Sequence, residues 1–125
     1  MFNYREFDAG PDPFGRQVHV CFKWLQTAIS IRHADTVDVK FVLVAEGGAK
    51  TEKTIALPHA DLRQLSRETG RKLDDPWCAR LAALHLRRLV ATGEDMEKSL
   101  VTVAYADLQR YAAEVKREEE AVPAR

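Results

Sequence analysis

From Gln17 onward, apolar and polar residues alternate one for one. Val18, Val20, Phe22 and Trp24 share one face, and Gln17, His19, Cys21 and Lys23 share the other, which is the period of a half-buried strand. The phase then inverts, with Leu25, Ile29 and Ile31 apolar at odd positions and Gln26, Ser30 and Arg32 between them. A strand changes faces only by admitting an extra residue, so a β-bulge is expected near Trp24 and Leu25. The β-branched Thr27, Ile29 and Ile31 favour strand over a short helix. Two further strands follow: residues 36–45, with Val37, Val39, Phe41 and Leu43 on one face, and residues 51–57, with Ile55 and Leu57. A turn at His33-Ala34-Asp35 sets Ile31 against Val37, Ile29 against Val39 and Leu25 against Leu43. A loop over residues 46–50 sets Phe41 against Ile55 and Val39 against Leu57. The expected product is an antiparallel meander with residues 36–45 at its centre.

Beyond Leu57 the period becomes helical. Pro58-His59-Ala60-Asp61 opens a helix to about Thr69, with Asp61 near its positive end and Gly70 beyond its last turn. Its apolar stripe is thin, Leu62 and Leu65, which places it on the surface. The most apolar segment runs from Asp75 to Thr92, with Asp75 as the expected N-cap, Pro76 at the first helical position and Gly93 past the end. Cys78, Leu81, Ala82, His85, Leu86 and Leu89 fall on one arc of this helix, and Arg80, Arg87 and Arg88 on the other. A helix this apolar is a core element with neighbours on both flanks.

In residues 99–103, Val101, Thr102 and Val103 favour a short strand over a helical lead-in. Leu108, Tyr111, Ala112 and Val115 have the spacing of a helix over residues 107–116. Glu118, Glu119 and Glu120 put negative charge at its negative end, which predicts fraying.

These elements describe an α+β fold: an antiparallel three- to four-stranded meander, one face covered by a long central helix and a C-terminal helix, plus a short surface helix. Residues 1–15 read as an irregular aromatic arm, because Gly10-Pro11-Asp12-Pro13 and Gly15 break regular structure while Phe2, Tyr4, Phe7 and Phe14 supply anchors. Residues 16–117 form a single globular domain, and residues 118–125 a frayed polar tail. A chain of 125 residues fits that plan.

Charge and cysteine usage narrow the function. Nineteen Lys and Arg balance nineteen Asp and Glu, which removes the excess positive charge on which non-specific polyanion binding rests. No apolar run is long enough to span a membrane, and the opening Met-Phe-Asn-Tyr-Arg-Glu-Phe-Asp lacks the apolar centre of a signal peptide. Cys21 and Cys78 lie far apart in mainly apolar segments and read as reduced thiols of a cytosolic protein.

Phosphate-loop, dinucleotide-binding, nucleophile-elbow and His-Glu-x-x-His patterns are all absent, and Gly47-Gly48 reads as a hairpin turn. His85 shares a helix face with Cys78, but seven residues of helix separate them by about 10.5 Å, too far for one metal. A core histidine bonded to a backbone carbonyl is expected instead. His19 and Cys21 alternate onto one strand face, close enough for an ion-paired thiolate, with no third orienting group nearby in sequence. His33 falls in a turn and His59 at a helix start. Asp74-Asp75 and Glu94-Asp95 mark helix boundaries. Arg63, Arg67 and Arg71, spaced four apart and followed by Lys72, are the nucleic-acid candidates, with only Trp77 nearby for stacking.

The expectation is a small cytosolic domain without catalytic machinery, cofactor or metal. It binds a protein partner or a second copy of itself rather than nucleic acid or membrane. The surfaces for this are the aromatic arm, an exposed strand edge, or a second sheet face carrying Ala28, Val42 and Val44. The alternatives are a nucleic-acid-binding accessory protein using Arg63, Arg67, Arg71 and Lys72, and a small enzyme or ligand-binding domain with a site at His19 and Cys21 or at His85.

Overall fold

Alternation along Thr36–Ala45 makes this segment the middle of the sheet, where both neighbours and one covering layer are needed. In a computed structural model that describes residues 2–28 and 35–121, it is the central strand of five. Strands β1 (Glu6–Ala9), β2 (Val18–Ala28), β3 (Thr36–Ala45), β4 (Lys50–Pro58) and β5 (Leu100–Thr102) lie side by side in that order in one open sheet. The first four form an antiparallel meander, and β5 joins β4 in parallel. A parallel neighbour needs a crossover. Helices α1 (His59–Thr69) and α2 (Asp75–Thr92) supply it, and α3 (Tyr105–Ala121) closes the chain.

The helices lie on one side of the sheet. Val20, Val37, Val39, Phe41, Leu43, Ile55 and Leu57 point into that side and are buried. Eleven residues of α2 are buried, from Trp77 to Val90, so apolar contact surrounds most of the helix, as its composition requires. It lies against β1 to β4, while α3 packs on α2 and α1. Leu62 and Leu65 are the buried edge of α1.

Several local expectations are corrected. Residues 1–15 are not wholly irregular, because Glu6-Phe7-Asp8-Ala9 alternates exposed and buried positions and pairs with β2. The bulge falls at Lys23, between Phe22 and Trp24, so Trp24 moves to the outer face beside Lys40. Beyond the bulge, Leu25 opposes Val39 and Thr27 opposes Val37. This is displaced from the expected register by an even number of residues, so the faces are kept. Ile29, Ile31 and His33 lie outside the described residues. The β3–β4 connection is tighter than expected: Ala45 N–H donates to the Ala49 carbonyl at 2.8 Å, around Gly47 and Gly48 at φ of 96° and 92°. Val39 therefore opposes Ile55, and Phe41 opposes Lys53.

The α2 cap is Asp74 rather than Asp75, its Oδ1 accepting from Trp77 N–H at 3.0 Å. Helix α3 continues through Glu118 to Glu120 as far as Ala121. Glu119 is held by Arg71 and by Arg80, the latter at 3.2 Å, and these cations offset the unfavourable dipole. Residues 122–125 lie outside the described residues.

Candidate functional site

Among the described residues no helix lies over the outer face of the sheet. Strand pairing arranges that face in rows. One row runs Asp8, His19, Val44, Lys50 across β1 to β4, and the next runs Glu6, Cys21, Val42, Glu52. Cys21, Val42 and Val44 are half-buried in the middle of these rows. Below them Glu52 is paired with Lys23 and lies 3.6 Å from Lys40, whose ammonium sits 5.2 Å from the centre of the Trp24 ring. The two lysines hold the Glu52 carboxyl below its ordinary range.

The polar focus of the face is His19. Its Nδ1 is 2.8 Å from Asp8 Oδ1, and its Nε2 is 2.8 Å from Glu6 Oε1. The two carboxylates hold the imidazolium by hydrogen bonds, Asp8 foremost, and raise its pKa. Ligand atoms of Glu6, His19 and Cys21 all lie within 4.8 Å of one another. The orienting group that the neighbouring sequence lacks is thus supplied by β1. The signal was the alternation Glu6-Phe7-Asp8-Ala9, a run too short to stand out beside Gly10-Pro11.

His85 and Cys78 do not meet in a site. His85 is buried and its Nδ1 faces the Tyr111 hydroxyl of α3 at 2.7 Å, not a backbone carbonyl as expected. Burial lowers the His85 pKa and pushes the Cys78 thiol up to about 12, so Cys78 is inert. The basic row is interrupted. Arg63 and Arg67 are exposed on α1, but Gly70 ends the helix at φ 72°, and Arg71 turns to Glu119 while Lys72 is exposed. His59 begins α1, its N–H donating to the Asp35 carbonyl at 2.9 Å.

The other association surfaces are also sorted. Phe2, Tyr4 and Phe7 pack inward: Phe2 on Phe7 with ring centres 4.8 Å apart, Tyr4 on Phe22 at 5.7 Å and Phe7 on Phe41 at 6.3 Å. Of the arm's aromatics, Phe14 is left outside, 82% exposed. The edge strands β1 and β5 have four and three residues, lengths that discourage edge pairing. One group escaped the sequence altogether. Lys53 sits on the buried side of β4, 4% exposed, its Nζ donating to the carbonyls of Asp95, at 2.6 Å, and Lys98.

No helix among the described residues is long and apolar enough to cross a membrane. Compared with protein-family models, curated proteins and solved structures, the chain matches none.

Proposed function

We propose that this chain is a small, non-catalytic, cytosolic domain that pairs with a second copy of itself through the outer face of its sheet. The observation that carries this is the row Asp8–His19–Val44–Lys50, which begins on an anion and ends on a cation, with the half-buried Val44 between. A two-fold axis parallel to the strands, between two facing sheets, reverses strand order and keeps the level along each strand. Asp8 of one copy then faces Lys50 of the other, and His19 faces Val44. In the next row Glu6 faces Glu52, but Glu52 carries Lys23 and Lys40 with it, so that contact is also attractive. The face measures roughly 20 by 30 Å from strand spacing and rise. That is about 600 Å² per copy, the lower end of the ~600–1,000 Å² per partner of specific interfaces. The inward-packed arm and the short edge strands leave this face as the larger surface available.

Light scattering of the full chain over roughly 1 to 300 μM tests the reading. The expected result is a dimer that Val44→Lys converts to a monomer with unchanged circular dichroism. Asp8→Lys and Lys50→Glu singly weaken the dimer, and the two together restore it. A wild-type monomer throughout the range, or a dimer indifferent to Val44→Lys, overturns it.

A further inference from the structure

We infer that Glu6, His19 and Cys21 form a binding site for a zinc-like divalent transition metal, with Asp8 as the group that positions His19. The site is built from one chain and does not rest on the self-association proposed above. Glu6 on β1 stands directly opposite Cys21 on β2, and Asp8 directly opposite His19, so two hydrogen-bonded strands fix all four side chains on one face. The three ligand atoms lie within 4.8 Å of one another, near enough to close around one ion with side-chain rotation alone.

The arrangement of lone pairs says what belongs between them. With a proton on each nitrogen, His19 donates to both carboxylates at 2.8 Å. Without the proton on Nε2, three electron donors face one another: the imidazole lone pair, the Glu6 carboxylate and the Cys21 sulfur. A divalent cation in the place of that proton satisfies all three, the Cys21 thiol releasing its own proton to solvent as the sulfur binds. Asp8 keeps the Nδ1 proton, the carboxylate–histidine–metal arrangement that fixes the tautomer and strengthens the ligand. The mixed nitrogen, oxygen and sulfur set favours zinc-like ions over magnesium or calcium, which take oxygen ligands. Three protein ligands leave a fourth tetrahedral position, and the His19 side chain, 41% exposed, lies at the water boundary where that position opens. Bound there, the ion clasps the edge strand β1 to β2.

The test uses the full chain, freed of metal, titrated with Co2+ as a visible substitute for Zn2+. The expected result is one Co2+ per chain, with tetrahedral visible bands and a thiolate-to-cobalt charge-transfer band, all displaced by Zn2+. Cys21→Ser abolishes the charge-transfer band. His19→Gln weakens binding by more than tenfold. Asp8→Asn weakens binding ~10–100-fold while leaving the charge-transfer band in place, as a positioning residue does. As a second readout, Zn2+ slows labelling of Cys21 by a thiol reagent in the wild type and not in His19→Gln, and raises the melting temperature of the wild type. No charge-transfer band, or a band that survives Cys21→Ser, overturns the assignment. Labelling of Cys21 that Zn2+ does not slow does the same.

Discussion

The Tyr111 hydroxyl and His85 Nδ1 share a hydrogen bond of 2.7 Å, joining α3 to α2 in the buried layer between them. A third side chain joins the group. Arg88 donates to the same hydroxyl oxygen at 3.3 Å. Asp107 holds Arg88 from the other side at 2.8 Å.

Removing that hydroxyl leaves Nδ1 of a buried imidazole without its hydrogen-bond partner. Tyr111→Phe is expected to cost about 1–3 kcal/mol, the penalty for an unsatisfied buried polar group. Urea unfolding followed by circular dichroism measures it. A loss below the error of the fit shows that water replaces the hydroxyl.

His85 also sets a pH dependence. Burial lowers its folded pKa, so the unfolded chain takes up a proton that the folded chain refuses. The stability linked to His85 is complete above about pH 6.5 and is lost as the pH falls from there toward the folded value, by up to about 1.4 kcal/mol per pH unit. Unfolding midpoints measured between about pH 7.5 and 4.5 should fall more steeply for the wild type than for His85→Gln. Parallel slopes would remove His85 from the acid response.

Glu119 receives both Arg71 and Arg80. Glu119→Gln is expected to loosen the last turns of α3 and cost about 1 kcal/mol, since each half-buried pair contributes at most that. A double-mutant cycle with Arg80→Met should give a coupling of a few tenths of a kcal/mol or more that shrinks in high salt. A coupling of zero would assign the order of this helix end to apolar packing alone.

Lys53 acts on the α2–β5 connection. Lys53→Met keeps the apolar stem and deletes the ammonium that gathers the Asp95 and Lys98 carbonyls. The expected outcome is a loss of about 1–2 kcal/mol and faster proteolysis within residues 94–99. Unchanged cleavage there would show that the connection holds its shape without the lysine.

Periodicity made the layers legible and left the cross-chain detail hidden. Alternation in β3 and the apolar girth of α2 placed the central strand and the central helix, because burial on a fixed period leaves a mark on every residue. Register escaped, since sliding β2 by an even number of residues against β3 buries the same faces. Between β3 and β4 the tight turn at Gly47-Gly48 decided the register, and within β2 the bulge at Lys23 changed the face. The polar site escaped for a related reason. His19 and Cys21 were visible as a pair, but Glu6 and Asp8 reach them only through a four-residue strand with breakers just beyond it. Glu119 looked like a solvated tail because its arginine partners come from other elements.

The parallel attachment of β5 dictates an order of assembly. The antiparallel strands β1 to β4 follow one another closely in sequence and close their contacts at little entropic cost, whereas β5 reaches β4 only after a long loop containing both α1 and α2 has been drawn shut. With three residues and one neighbour, β5 has little of its own to offset that closure. The sheet therefore grows from the hairpins outward, and its β5 margin is the last part to lock and the first from which amide protons exchange.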